Sequence, residues 1–311
     1  MPNTFDLQIQ STASDGTHTS VEIVGMAADL GLIVIALTDH DTVAGVDEAM
    51  AAGSAQGIRV IPGIEISVEE RGAHLLGYGI DQRDTGLLDA LEQSKQGRIE
   101  GAKKIVENLK AAGFAIEWDD VLAQATGDVV ARPHVARAIL GRAENRVRLG
   151  AITTSHEFIE KYLTDESPYY VRRSHIGAKD AIALIHGAGG VAVWSHPALH
   201  FRGLSGQDDP EGLEQFLQEL IAWGIDGVEV FNPSQTEDDV EFLQCLAAKY
   251  KLLRTAGSDF HEAGDHAADP GSGLHAARTL GDFETYGFAT DDIIAKLDEA
   301  IGRRQEKFIG A

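Results

Sequence analysis

The chain has 311 residues, 49 of them acidic against 26 basic, for a formal charge of −23. Its length suits one α/β barrel of about 250 residues plus an insertion, and a hydrophobic share of 43% can fill the core. The charge excludes broad binding to duplex nucleic acid, the single Cys245 excludes a disulfide framework, and the lack of a long apolar run or a signal pattern points to a cytoplasmic protein with no membrane association and no protein partner.

In chain order, the alternating run Phe5–Gln10 predicts a first strand. Thr19 or Ser20 caps a helix near Ser20–Leu30, with Glu22 in its first turn. "LIVIALTDHD" is a strand apolar on both faces, as parallel strands are. A helix near Val43–Gln56 follows, then the strands "RVIPGIEIS" and "AHLLGYG", in the rhythm of a parallel sheet or barrel. Between about Leu87 and Arg173 the rhythm gives way to helical patterns: "LLDALEQSKQGRIEGAKKIVENLKAAG", "WDDVLAQA", "RPHVARAIL" and "HEFIEKYL". Alternation returns with a helix near Lys179–Gly187, the strand "GGVAVWSHP", a helix at Glu211–Trp223 and the strand "DGVEVF". A helix at Gln235–Tyr250 carries Cys245, expected as an inert buried thiol. The strand "LLRTAGSDFH" and a helix near Asp291–Gly302 close the chain.

Histidine, aspartate and glutamate recur at the ends of these strands: Asp39, His40 and Asp41 in "LTDHD", Glu65 in "PGIEIS", His74 in "AHLLGYG", His196 in "VAVWSHP", and Asp259 and His261 in "AGSDFH". The polar loop after the first strand adds Asp15 and His18. A single histidine after a strand is more often a satisfied polar group than a ligand. Five such strand ends converging on one rim point instead to a metal site, since imidazole with carboxylate suits zinc, manganese or iron, and a shared carboxylate such as Glu65 can bridge two ions.

The segments "STASDGTHT", "TDHDTVAG", "PGIEIS", "HLLGYG", "RPHVARA", "GGVAVWSHP" and "GSDFH" together resemble the PHP (polymerase and histidinol phosphatase) family of metal-dependent phosphoesterases, in the branch of small-nucleotide phosphatases with a helical insertion. The resemblance spans nearly the whole chain. It implies an α/β fold, a distorted seven-stranded (β/α) barrel, formed by residues 1–98 and 173–311, with a helical insertion at 99–172. It also implies two or three divalent ions, manganese first, with zinc or iron as alternatives. Carried over by motif, one ion takes Glu65 and Asp259 with a His-x-His pair, a second shares Glu65 and adds His74 and His196, and a third takes Asp15, His40 and His261.

One departure stands out. Family members normally begin "DLHxHSTxSDG", and here both histidines are replaced, by Gln8 and Gln10. An engineered double substitution and a natural variant with a two-metal site both fit. Amides are weak neutral ligands beside imidazole, so the first position is expected to be empty or only partly filled. Arg132, His134 and Arg137 in "RPHVARA", and Arg172 and Arg173 in "YYVRRSH", are expected to bind substrate phosphate, because planar guanidinium suits bidentate contact. The implied reaction is hydrolysis of a phosphate monoester on a small nucleotide, best guessed as removal of the 3'-phosphate of a nucleoside 3',5'-bisphosphate. Asp259 works at the metals, and His134 or His196 acts as general acid. The alternatives are a 5'-3' exonuclease on short oligonucleotides, or a catalytically impaired nucleotide-binding protein.

Overall fold

A computed structural model describes residues 3–124, 132–164, 167–171, 176–201, 209–261 and 279–309. The elements, in order, are β1 (Phe5–Asp6), α1 (Ser20–Asp29), β2 (Val34–Leu37), α2 (Val46–Gln56), β3 (Arg59–Ser67), β4 (His74–Tyr78), α3 (Thr85–Ala111), α4 (Trp118–Leu122), α5 (Arg132–Gly141), α6 (Arg146–Leu149), α7 (Ser155–Tyr162), α8 (Ala178–Gly187), β5 (Val191–Trp194), α9 (Pro210–Trp223), β6 (Gly227–Phe231), α10 (Glu237–Tyr250), β7 (Leu253–Ala256) and α11 (Ile293–Ile309). The helix starts follow from local chemistry. Thr19 with Glu22, Thr154 with Glu157, and Thr236 with Asp239 each form a reciprocal capping box.

The seven strands pair in sequence order. The two edges approach each other as well: Leu7 N–H donates to Ala256 O at 3.1 Å, and Ile9 pairs with Phe260. The result is a nearly closed barrel. Two features differ from an all-parallel reading of the sequence. β4 runs antiparallel to both β3 and β5, because only residues 68–73 separate it from β3, and parallel neighbours need a crossover of a dozen residues or more. β1 is also short, with its continuation tied by the Thr38 hydroxyl, which accepts from Ile9 N–H at 3.0 Å.

The close approach of the barrel edges requires a glycine. A Cβ on Gly257 would lie 2.5 Å from Gln8 Cβ and 2.6 Å from Gln8 N, so no larger residue fits where the chain leaving β7 passes β1. Strands such as β2 and β5 are buried along their whole length, as expected of a barrel with helices outside and side chains filling its interior.

The chain divides into two compact units. Among the described residues, one contains those up to Leu91 and from Ile176 onward, and the other lies within Glu92–His175. The barrel core packs Tyr78, Trp194, Phe216 and Phe231 among aliphatic side chains. The helical unit has its own core, in which the Phe114 ring meets Phe158 and Tyr162 edge-on and those two meet at a tilt, with centroids 4.9–5.6 Å apart. Asn145 pins that unit by bonding Ala115 N and O and Ile139 O. Cys245 corrects an expectation: it is exposed, not buried. The buried face of α10 is Val240, Leu243, Leu246 and Ala247, and Cys245 falls on the other side. Among the described residues, no helix is long and apolar enough to cross a membrane.

Candidate metal centre

The strand ends converge on one carboxylate. Glu65, near the end of β3, is fully buried. Its Oε1 lies 3.0 Å from His74 Nδ1, 3.1 Å from His196 Nε2 and 3.1 Å from Ser195 Oγ, which donates to it. Its Oε2 accepts from Gln10 Nε2 at 2.7 Å and from Gln8 Nε2 at 3.2 Å, with His40 Nδ1 at 3.8 Å. Burial works against the charge of Glu65, but His40, His196 and His74 outweigh it and hold the carboxyl well below the usual carboxylate range.

His40 is the hinge between two groups. His40, Glu65 and His74 form one set of ligand atoms within 4.8 Å of one another, and Asp15, His40 and His261 form another. His40 Nδ1 is buried with no hydrogen-bond partner. Burial alone would lower its pKa, yet the carboxylates of Glu65, Asp15, Asp41 and Asp259 push it up to about 9. A ring surrounded by that much negative charge, with an unsatisfied nitrogen, fits a position built for a cation.

The loops that present these groups are strained. Asp41, His196 and Asp259 have φ of 54°, 30° and 53°, left-handed values that cost a non-glycine residue about 1–3 kcal/mol each. Neighbours over-determine them. His196 N–H donates to Glu229 Oε2 at 2.9 Å, Asp41 N–H to Glu65 O at 2.8 Å, and the Asp41 carboxylate accepts from Ser67 N and Oγ. Buried Asp39, its pKa raised by desolvation, gathers the opening loop through Ser11 and Ser14.

The structure thus brings together Gln8, Gln10, His40, Glu65, His74 and His196. His261 Nε2 sits 3.4 Å from Asp15 Oδ1, and Asp259 Oδ1 lies 3.8 Å from His261 Nδ1. His18 stands apart, stacked on Phe260 at 5.9 Å. In the helical unit, Arg132 donates to Leu163 O and covers the Tyr170 ring, and Arg137 donates to Gln124 O. His134 lies on the same helix as both. Arg172 and Arg173 lie outside the described residues.

Four participants escaped the sequence reading: Ser195, His200, Glu229 and Asn232. His200 Nε2 faces His196 Nδ1 at 3.1 Å, and the signal was the i, i+4 pair in "HPALH". Glu229 is a lone charge in the apolar strand "GVEVF"; it is fully buried, and burial pushes its carboxyl well above the usual range. A register shift between Glu229 and Phe231 on β6 leads directly into Asn232, as bulges beside active sites often do.

The comparisons agree with this geometry. The chain is 34% identical over 263 residues (84% of this chain, 91% of that protein) to a 5'-3' exoribonuclease of Haemophilus influenzae. It is 33% identical over 270 residues (86% and 90%) to a 3',5'-nucleoside bisphosphate phosphatase of Chromobacterium violaceum. Among solved structures it superposes on an amidohydrolase from Chromobacterium violaceum, solved with bound sulfate and no metal, with TM-score 0.72 and 30% identity, covering 96% of each chain. A candidate metal-dependent phosphoesterase from Bifidobacterium adolescentis matches with TM-score 0.72 and 28% identity, covering 96% of this chain and 98% of that one. The PHP domain matches residues 6–223, and with the carboxylate-bridged histidine rim just described, the chain belongs to the PHP family.

Proposed function

We propose that the protein hydrolyses a phosphate monoester on a small nucleotide, removing the 3'-phosphate of a nucleoside 3',5'-bisphosphate. The observation that supports this best is the pair of adjoining ligand groups sharing His40, with Glu65 at the heart of one of them. In this reading Glu65, His74 and His196 hold one divalent ion, and Asp15, His40 and His261 hold another, with Asp259 beside it. Manganese is the first choice. Bound there, the ions supply Lewis acidity toward phosphoryl oxygens and toward the attacking water.

The chain's own residues orient and protonate. His196 has both ring nitrogens engaged, by Glu65 and by His200, so the proton for the leaving oxygen falls to His134. Arg132 and Arg137 serve the phosphate; their assignment, like that of His134, rests on the "RPHVARA" match.

His200 is a positioning residue in this reading. If His196 turns Nε2 toward the centre, its Nδ1 must carry the proton and needs an acceptor, which His200 Nε2 provides. Burial, then His196 and His74, hold the His200 pKa well below its usual value, so the ring is neutral and able to accept. Removing such an outer partner lowers metal affinity by roughly 10–100-fold. His200→Ala should show that loss by manganese titration, and His200→Gln, whose carbonyl can accept, should recover part of it. Unchanged affinity in His200→Ala would remove His200 from the site.

The 5'-3' exonuclease reading is kept because a relative at 34% identity carries that name. Release of phosphate from a nucleoside 3',5'-bisphosphate, and of mononucleotides from oligonucleotides of increasing length, both with added manganese, separates the two. With a net charge of −23, turnover should fall steeply beyond a few nucleotides, because the surface repels long polyanions. Equal rates on a bisphosphate and on a long single strand would favour the exonuclease. Nucleotide binding without any release would leave an impaired binder.

A further inference from the structure

We infer that a neutral amide cluster, Gln8–Gln10–Asn232, takes the place of a cation beside Glu65, so that the metal centre is built for two ions and not three. This rests on the metal-centre reading above and adds what the glutamines do.

The argument turns on which way each amide faces. Amide oxygen and nitrogen are told apart by their partners, and here the chain of partners starts from a backbone donor, which cannot be reversed. Ser234 N–H points at Asn232 at 2.9 Å, so the atom it meets is Oδ1, which also accepts from Ser234 Oγ at 2.7 Å. Asn232 therefore turns its Nδ2 to Gln8, where it donates to Oε1 at 2.9 Å, and to Glu229 Oε2 at 3.1 Å. With its oxygen taken, Gln8 can present only its NH2 to Glu65 Oε2, at 3.2 Å, and to Ser195 Oγ, at 2.9 Å.

Gln10 is fixed by its own acceptors. Its Nε2 meets Glu65 Oε2 at 2.7 Å and Thr38 O at 3.4 Å. Reversing it would set its oxygen against two others. Both glutamines thus aim N–H hydrogens at one carboxylate oxygen of Glu65. The electropositive end of each dipole points where a family member with histidines would face a cation.

A cation cannot share that position with N–H donors turned toward it. The oxygen that Gln8 would need for coordination is held 2.9 Å from Asn232. Gln10 Oε1 is buried without a partner, but one neutral carbonyl is a poor exchange for two imidazoles. So the residues at the first position do not fit a metal, while those around His40 do. The amides instead satisfy a fully buried carboxylate oxygen that would otherwise go unpaired at that face.

The test is a count. Manganese titration of the metal-free protein by calorimetry, with elemental analysis of the loaded protein, should give two ions per chain, and any further ion should bind at least ~100-fold more weakly. Gln8→His/Gln10→His should raise the count to three. Loss of the Asn232 anchor is read separately: Asn232→Leu frees the Gln8 amide to turn, and the metal-free protein should unfold at lower temperature than wild type. A third ion in the wild-type protein with affinity comparable to the other two would overturn the inference alone. So would a double histidine variant that folds yet still holds two, because the amides would then not be what closes the position. No bound ion at all would instead overturn the metal centre.

Discussion

Replacing Glu65 by glutamine should remove the ion assigned to Glu65, His74 and His196, and hydrolysis with it. Every group at the centre is arranged around a carboxylate: Gln8 and Gln10 donate to Oε2, Ser195 donates to Oε1, and His74 and His196 reach Oε1. An amide in its place carries no charge and keeps one acceptor oxygen, so either Gln8 and Gln10 or Ser195 would lose the oxygen to which they now donate. Partners that only orient a metal ligand are worth ~10–100-fold in affinity, so loss of the ligand itself should cost that one ion more than that. Hydrolysis should fall by ~10³-fold or more, since removing even one preorganised donor from an active site costs ~10²–10³-fold. The metal-free variant should also be less stable, by up to ~3–5 kcal/mol, the usual penalty for removing one partner of a buried charged pair. Manganese titration, phosphate release and urea unfolding without metal read the three effects separately. A variant that kept its metal and worked within tenfold of wild type would reduce Glu65 to a structural acid.

Much of this arrangement was legible in the sequence, because strand-end chemistry announces itself. Apolar runs such as "VIAL" and "VAVW" read as buried strands, and a charged or imidazole side chain two residues after each one, Asp39 and His196, has few bland explanations. The direction of β4 was legible in principle: the short link 68–73 leaves no room for a crossover, yet the βαβ rhythm on either side masked it. Cys245 was misread because its neighbours Leu243, Leu246 and Ala247 are buried, and one step around a helix turns a residue through about 100°. The amide cluster could not have been read at all. Gln8, Asn232 and Ser195 lie far apart in sequence, and the orientation of each amide depends on a backbone N–H at Ser234 that only the folded chain positions. Glu229 is the intermediate case: a lone acid in "GVEVF" signals something unusual, but not which neighbours it serves.

Asp6 should prove the most consequential residue for stability outside the metal centre. It lies on β1, fully buried, and its carboxyl accepts from four donors: Ser258 N at 2.9 Å, Ser258 Oγ, Gly281 N at 2.7 Å and Gln8 N at 3.2 Å. Those bonds tie the chain leaving β7 and the segment around Gly281 to β1, where the barrel edges meet. Asp6→Ala leaves three backbone N–H groups without that acceptor, and at about 1–3 kcal/mol for each buried donor left unsatisfied the loss should be several kcal/mol. Its pH dependence carries a defined sign. Desolvation raises the Asp6 pKa from 3.8 to about 6 against the pull of its hydrogen bonds. Between those values the folded state holds a proton that the unfolded chain has released, so this group's contribution is complete below pH 3.8 and is lost as pH rises through about 6. At pH 5 the folded carboxyl sits about one unit below its pKa, which amounts to ~1.4 kcal/mol, and by pH 7.5 almost none of that remains. Urea unfolding of wild type and Asp6→Asn at the two pH values isolates it. Wild type should lose ~1.4 kcal/mol more than the variant on going from pH 5 to pH 7.5. A variant whose stability falls in parallel with wild type would show that the hydrogen bonds win after all, and that Asp6 stays charged in the core.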